Sequence, residues 1–284
     1  MECVADVRAV LGEGPTWVER EQALYWVDIP ERRLFRWSQA EGTKLIEPGV
    51  NVCSIAARAS GGYVGAGYDG FFEIDADHRV TLIGDPEPDL PDNRFNDGKV
   101  DAKGRFWAGT MDRNERQASG SLYRLDPDLS WTHIDTGYRV TNGPAFSRDG
   151  RILYHTDSAR QVVYAFDLAE DGAASNRRVH LQFGEGDGYP DGMTVDAEDC
   201  LWIAFWDGWC VRRFSPTGER IAEIAVPAQN VTSCTFGGPD YDQLFITTAS
   251  RDLTADELLR QPQAGGLFMT RPGVKGVAEP LFAG

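Results

Sequence analysis

The sequence predicts an all-β fold, a single six-bladed β-propeller of four-stranded antiparallel blades with a metal site on its axis. Three observations predict the propeller: a pattern of paired short strands that returns six times, a nearly constant spacing between its copies, and an almost complete lack of helical periodicity. Short apolar runs bounded by Gly, Asp, Asn and Pro are typical of antiparallel strands. Because the 31 glycines and 15 prolines are spread along the whole chain, long helices are not expected.

Each copy of the pattern contains an apolar strand, a turn and a second strand. Equivalent positions in the first strand of each pair are Tyr25, Val64, Trp107, Tyr154, Trp202 and Phe245. These positions lie 39, 43, 47, 48 and 43 residues apart, with a mean of 44. Since one four-stranded propeller blade takes roughly 40–50 residues, six blades account for nearly all of the 284 residues. We therefore expect one domain over residues 1–284.

Two further segments complete the predicted fold. The apolar segments Cys3 to Val10 and Glu279 to Phe282 are expected to pair with each other and close the ring, because an open sheet edge exposes unpaired backbone groups. The one helical signal is Thr254 to Arg260, where an N-cap Thr is followed three residues later by Glu. A short helix is predicted there.

The composition limits the partners and the compartment. The chain has 28 Lys and Arg against 44 Asp and Glu, a formal net charge of −16, which argues against nucleic acid or an anionic membrane surface as a partner. No apolar run approaches the 18 residues of a membrane span, and the N-terminus does not resemble a signal peptide. Five widely spaced cysteines without a CxxC motif indicate reduced thiols. We predict a cytoplasmic protein, a monomer or weak homo-oligomer.

The candidate site comes from the segment that precedes each outer strand pair. We interpret these segments as the innermost strands of the blades, beginning near Glu13, Ser54, Asn96, Asn142, Asp191 and Ser233. In four of them an oxygen-bearing side chain precedes glycine, at Glu13-Gly14, Asp97-Gly98, Asn142-Gly143 and Asp191-Gly192. Innermost strands surround one central channel, so equivalent positions face each other at one height. Counting back four residues from the first apolar residue of each strand (Trp17, Val100, Phe146 and Val195) selects Glu13, Asn96, Asn142 and Asp191. In the third blade the two rules of this register therefore select neighbours, Asn96 and Asp97.

Carboxylate and amide oxygens that converge on one channel indicate a cation. Without one, two carboxylates would repel each other and would be costly to bury. A hard divalent cation is the natural occupant, because it takes oxygen ligands. The same dipeptides are also common turn formers, and a turn is the simpler interpretation of any single pair. Four pairs in one register favour a metal site, with Glu13, Asn96, Asn142 and Asp191 as candidates.

Arg94 is a further candidate, because it lies two residues before Asn96 and on the same side of the strand. A guanidinium there could bind substrate hydroxyls or an oxyanion. The alternative is a surface arginine paired with Asp92 or Asp97.

Several motifs carry a family resemblance. The segments GEGPTW, PDNRFNDGKVD, TNGPAFSRDG, YPDGMTVDAE and RQPQAGG occur in order from about Leu11 to the C-terminus, and they resemble the SMP-30/gluconolactonase/regucalcin family. The resemblance implies a six-bladed propeller that binds one divalent cation and hydrolyses sugar lactones. It also implies roles for single residues, with Glu13, Asn142 and Asp191 as metal ligands and Arg94 and Asn96 as substrate contacts.

One departure from the family concerns the substrate loop. Vertebrate members place a Glu three residues after the Met of the GTM motif, where this chain has Asn114 with Glu115 next to it. Either Glu115 takes the substrate contact or that contact is lost.

The expected function is metal-dependent hydrolysis of an aldonolactone to an aldonic acid in carbohydrate catabolism. Asp191 is the candidate general base, and Arg94 and Asn96 would orient the sugar and stabilise the oxyanion. Oxygen ligands favour Ca, Mg or Mn, whereas three protein ligands with open positions also suit Zn or Fe(II). The alternatives are a phosphotriesterase or esterase on the same site and a calcium-binding regulatory protein without a catalytic task.

Overall fold

The structure, a computed structural model, describes all 284 residues and confirms the predicted fold class, a six-bladed β-propeller. Its 24 strands form six four-stranded antiparallel sheets, each of which is one blade. The N-terminal strand is β1 (Glu2–Ala5), and blade 1 consists of β2 (Gly12–Val18), β3 (Ala23–Asp28), β4 (Arg33–Ser38) and β5 (Gly42–Ile46). Blade 2 consists of β6 (Val52–Ala57), β7 (Tyr63–Gly67), β8 (Gly70–Ile74) and β9 (Val80–Gly84).

The remaining blades repeat this order. Blade 3 consists of β10 (Asn93–Val100), β11 (Phe106–Asp112), β12 (Gly120–Leu125) and β13 (Trp131–Tyr138). Blade 4 consists of β14 (Thr141–Phe146), β15 (Ile152–Asp157), β16 (Val162–Leu168) and β17 (Ala174–Gln182). Blade 5 consists of β18 (Tyr189–Val195), β19 (Leu201–Trp206), β20 (Cys210–Phe214) and β21 (Arg220–Ala225). Blade 6 consists of β22 (Asn230–Gly237), β23 (Gln243–Ala249), β24 (Leu267–Thr270) and, as its fourth strand, β1.

The chain divides into two compact units. The first unit contains Met1–Ile46 and Phe183–Ala278, and therefore blades 1, 5 and 6. The second unit contains Glu47–Gln182 and Glu279–Gly284, and therefore blades 2, 3 and 4. A single domain over residues 1–284 stays a prediction.

The predicted pairing of the two chain ends is wrong. Strand β1 pairs antiparallel with β24, with Cys3 opposite Phe268, because the last repeat supplies only three strands of its own. The C-terminal segment goes to blade 2 instead. There the Phe282 N–H donates to the Ala57 carbonyl at 2.9 Å, and the Phe282 ring is fully buried.

The predicted short helix is confirmed as α1 (Ala255–Arg260). Thr254 is its N-cap: the Glu257 N–H donates to Thr254 Oγ1 at 3.3 Å, and the Thr254 N–H donates to Glu257 Oε2 at 2.8 Å. The two side chains thus form a capping box. No helix in the structure has the length and apolar character that a membrane crossing requires.

Two of the repeat positions carry the same arrangement inside their blades. Trp107 and Trp202, which the spacing identifies as equivalent, are both fully buried. Each indole Nε1 donates to an aspartate six residues earlier, Asp101 or Asp196, at 2.8 Å. Because a buried indole N–H without an acceptor is costly, each pair joins the hydrophobic core to the turn that precedes its strand.

Candidate metal and substrate site

The first strand of every blade contains a β-bulge at the position that the register selected. In each case the first strand has one residue more than the second strand over the same stretch of the ladder. The bulges lie between Glu13 and Thr16, Val52 and Ser54, Phe95 and Gly98, Asn142 and Ala145, Pro190 and Met193, and Val231 and Ser233. A bulge interrupts the ladder and redirects a side chain. The register positions therefore share one local irregularity, beyond their spacing in sequence.

Glycine is required at two of these bulges for different reasons. Gly143 has a φ of +75°, a conformation that other residues adopt at a cost. Gly192 is limited by space, because a Cβ atom there would lie 2.1 Å from Ser233 Oγ. The glycine after the oxygen-bearing residue thus permits both the turn and the close approach of β18 to β22.

In the first unit, the two predicted carboxylate ligands lie on strands that contact the same neighbour, β22. Glu13 on β2 is 5% exposed, and Asp191 on β18 is 6% exposed. Next to Glu13, the Gly12 carbonyl accepts a hydrogen bond from Thr232 Oγ1 at 2.5 Å. Next to Asp191, Gly192 packs on Ser233. Two buried carboxylates are an oxygen donor pair of the kind that a hard cation stabilises.

In the second unit, the Asn142 side chain has a fixed orientation. Its Nδ2 donates to Ser158 Oγ at 2.9 Å, so Oδ1 is the atom left for another partner. The Oδ1 atom accepts from Asn96 Nδ2 at 2.9 Å, and Asn96 Nδ2 also donates to the Thr141 carbonyl at 2.7 Å. An amide oxygen held in this way fits the predicted role of Asn142 as a metal ligand.

Arg94 is buried beside Asn96, with 6% of its surface exposed. Its Nη1 donates to Asn96 Oδ1 at 2.5 Å and to the Phe95 carbonyl at 2.8 Å. It forms no ion pair with Asp92 or Asp97, so the alternative of a paired surface arginine does not hold. A buried guanidinium without a carboxylate partner favours an anionic or strongly polar ligand.

The structure separates the two candidates of blade 3. Asn96 is bonded toward Asn142, whereas Asp97 accepts from the backbone N–H of Gly143 at 3.1 Å and from that of Gly98 at 2.9 Å. Burial raises the pKa of Asp97 to about 7, an effect that the nearby Lys99 charge partly offsets. Asp97 therefore holds the backbone that follows Asn142, a role that the sequence pattern did not reveal.

The substrate loop places Asn114 and Glu115 differently. Asn114 lines a cavity of about 260 Å³ together with Asp112 and Arg116. Glu115 is not among the lining residues, and its carbonyl accepts from Arg139 Nε at 2.8 Å. None of Arg94, Asn96 and Asn142 lines this cavity, so the substrate contact of Glu115 stays a prediction.

Metal-binding clusters of another kind are absent. No group of three or more His, Cys, Asp or Glu side chains is placed to hold an ion, and all five cysteines are free thiols. The predicted ligand set differs from such a cluster, because it includes an amide. Carboxylate and amide oxygens are hard donors that suit Ca, Mg or Mn, and their convergence on one ion stays a prediction.

Comparisons with known proteins cover the whole chain. The family model described as SMP-30/Gluconolactonase/LRE-like region matches residues 11–250. Regucalcin from Xenopus laevis is 40% identical over 295 residues, covering 100% of this chain and 98% of the relative. The 6-deoxy-6-sulfogluconolactonase from Pseudomonas putida is 37% identical over 287 residues, covering 100% and 99%. A solved structure of regucalcin from Agrobacterium tumefaciens, described as a calcium-binding protein, has a TM-score of 0.94 at 30% identity and covers 98% of this chain and 96% of that one. These similarities confirm the resemblance that the motifs indicated.

Proposed function

The chain belongs to the SMP-30/gluconolactonase/LRE-like family, and we propose that it hydrolyses sugar lactones to aldonic acids with one divalent cation as cofactor. The observation that carries this proposal is the buried chain of hydrogen bonds from Arg94 through Asn96 to Asn142. It joins an unpaired guanidinium, suited to a polar ligand, to the amide that the family resemblance implies as a metal ligand. Hydrolysis of a lactone needs a group that binds the substrate next to the groups that bind the metal.

Glu13, Asn142 and Asp191 would hold the cation. This assignment rests on their equivalent register positions and on the family resemblance. When bound, the cation supplies a Lewis acid for the lactone carbonyl and lowers the pKa of water. The oxygen donors favour Ca, Mg or Mn over Zn and Fe(II).

Each side chain then has its own role in the reaction. Asp191 takes the proton of the attacking water as a general base. Water adds to the carbonyl carbon, the bond from that carbon to the ring oxygen breaks, and the ring oxygen receives the proton from Asp191 to become a hydroxyl. Arg94 and Asn96 bind the sugar oxygens and stabilise the oxyanion that forms during the addition.

The test is acid release measured by pH-stat on a panel of γ- and δ-aldonolactones, with spontaneous hydrolysis subtracted. Each lactone is assayed with Ca, Mg, Mn, Zn and Fe(II), and again after chelation. We expect turnover that the chelator abolishes and metal restores. Absence of turnover on every lactone with every metal would overturn the proposal.

A second candidate is a calcium-binding regulatory role, which the description of the solved relative as a calcium-binding protein favours. This candidate predicts tight calcium selectivity together with no turnover on any lactone, so the same assay separates the two. A cytoplasmic location, a role in carbohydrate catabolism and a monomeric or weakly associated state belong to the same proposal.

A further inference from the structure

Two guanidinium groups contact one aromatic ring in the second unit. Tyr68 lies in the turn between β7 and β8 and is partly buried. The Arg94 guanidinium carbon lies 5.6 Å from the centre of the Tyr68 ring, and that of Arg113 lies 5.1 Å from it. Cation–π contacts at these distances are attractive. Tyr68 therefore holds two positive charges near each other that would otherwise repel.

The three side chains leave several hydrogen-bond donors without an acceptor in the chain. Arg94 uses only Nη1 for its hydrogen bonds, so Nε and Nη2 donate to no protein atom. Arg113 is exposed and donates through Nη2 to the Pro91 carbonyl at 2.6 Å, without an ion pair. The Tyr68 hydroxyl makes no hydrogen bond within the chain, and its backbone N–H donates to the Asn51 carbonyl.

The charge balance of the chain makes this arrangement unusual. With a formal net charge of −16, carboxylates are plentiful, and most of the other arginines have one as a partner. Arg94 and Arg113 have none, although they share one ring. A local surplus of positive charge and unsatisfied donors in an acidic protein is suited to an anion.

We propose that Arg113 and the Tyr68 hydroxyl bind a permanent anionic group on the substrate, while Arg94 binds the reacting end. The substrate class is then a sugar lactone that carries a carboxylate, sulfonate or phosphate away from the lactone carbonyl. This inference rests on the proposed lactonase function and adds a specificity-determining subsite to it. Arg113 provides the charge, and Tyr68 sets its distance from Arg94.

The experiment compares kcat/KM for neutral glucono-δ-lactone with that for lactones bearing a C6 carboxylate, a C6 phosphate or a C6 sulfonate. The three anionic arms identify which anion the subsite prefers. The variants are Arg113→Gln, Tyr68→Phe and, as a matched control, Arg79→Gln. Arg79 is also an arginine of the second unit, with its side chain 77% exposed, but it faces Asp77 in a surface turn.

We expect Arg113→Gln to lower the ratio of anionic to neutral kcat/KM by about 10-fold for the preferred anion, the usual effect of losing a hydrogen bond to a charged group. Most of the loss should lie in KM. Tyr68→Phe, which retains the ring, should lower the ratio less, and Arg79→Gln should leave it unchanged. Added salt should reduce the preference of the unmodified chain, because the subsite is partly exposed.

If Arg113→Gln changes both substrates by the same factor, or neither, the subsite does not exist as proposed. If the unmodified chain hydrolyses no lactone at all, the proposed function fails together with it. If the chain hydrolyses the neutral lactone but Arg113→Gln leaves the ratio of anionic to neutral kcat/KM unchanged, only the subsite is overturned.

Discussion

Asn96 Nδ2 lies 2.9 Å from Asn142 Oδ1, although the two residues are 46 positions apart in the sequence. Arg94 donates to Asn96 Oδ1, and Asn142 Nδ2 donates to Ser158 Oγ. The three hydrogen bonds therefore run in one direction, from Arg94 to Ser158. A 180° flip of the Asn96 amide would break three hydrogen bonds, and a flip of the Asn142 amide would break its hydrogen bond with Asn96. The predicted substrate contact and the predicted metal ligand are therefore oriented by each other.

The general-base role of Asp191 predicts a separation between metal binding and turnover. Asp191→Asn keeps an oxygen ligand of the same size but removes the charge and the base. We expect the variant to bind the cation more weakly and to lose on the order of 10²–10⁴-fold in kcat, the usual contribution of a positioned general base. Metal titration beside lactone hydrolysis measures both. If the metal-saturated variant turns over like the unmodified chain, the base lies elsewhere.

Asn142→Asp is the matched control, because it adds a charge where Asp191→Asn removes one. The new carboxylate can still accept from Asn96 and from the Ser158 hydroxyl, so its position is retained. We expect tighter metal binding and a smaller loss of turnover, because the added charge reduces the Lewis acidity of the cation.

Asp191→Ala should remove both metal binding and turnover. Metal affinity equal to that of the unmodified chain would contradict the ligand assignment.

The hydroxyl of Ser158 should affect metal affinity without contacting the metal. Ser158→Ala removes the acceptor of Asn142 Nδ2, so the orientation of the amide is no longer fixed from that side. We expect metal affinity to fall about 10-fold, as for other partners that orient a ligand. The control is Ser121→Ala, since Ser121 is equally buried and donates to Thr136 Oγ1 at 3.2 Å. Equal losses in both variants would refute the orienting role.

The register of the site could be predicted because its cause is local. The bulge and its glycine are encoded by adjacent residues, so counting back four residues from Trp17, Val100, Phe146 and Val195 leads to the bulges. Ser158 could not be found in the same way. It belongs to a short 3-10 turn, Ser158–Arg160, that reaches Asn142 only after the chain has run along β15. Tyr68 likewise meets Arg94 only through the packing of blade 2 on blade 3.

The fold shows the same division between local and distant causes. The periodic apolar residues predict the six blades, since each blade is built from consecutive strands. The pairing of the chain ends could not be predicted in this way, because β1 and the C-terminal segment are both short and neither encodes its partner locally. What decides between them is the number of strands in the last repeat and the space that receives Phe282, and both are tertiary features.

His155 should make the stability of the protein depend on acid. Both ring nitrogens are buried without a hydrogen-bond partner, and burial, with a smaller effect of Arg177, lowers the His155 pKa to about 3. The unfolded chain takes up this proton near pH 6.5, so between these values it binds one proton more than the folded chain. Stability then falls with decreasing pH by about 1.4 kcal/mol per pH unit from this group. Unfolding by denaturant at pH 7, 6, 5 and 4 measures the slope.

The controls for this prediction are His155→Phe and His133→Phe. The first keeps a ring against Tyr138, whose centroid lies 4.7 Å from that of His155, and should reduce the acid slope. The second replaces an exposed histidine and should leave the slope as it is. A His155→Phe slope equal to that of the unmodified chain would mean that other groups cause the acid sensitivity.

The contact of Gly192 with Ser233 predicts a stability defect that a second substitution repairs. An alanine Cβ at position 192 would lie 2.1 Å from Ser233 Oγ and 2.5 Å from its Cβ, so the two strands must move apart. We expect Gly192→Ala to destabilise the protein by about 1–3 kcal/mol, the range for overpacked sites. Removing the Ser233 side chain in Gly192→Ala/Ser233→Gly should recover most of this loss, beyond the sum of the single effects. Gly184→Ala, where no atom lies within 4 Å of the added Cβ, should change stability little. Denaturant unfolding of the unmodified chain, Gly192→Ala, Ser233→Gly and the double variant gives the coupling between the two positions. Purely additive effects would show that β18 and β22 do not meet at this contact.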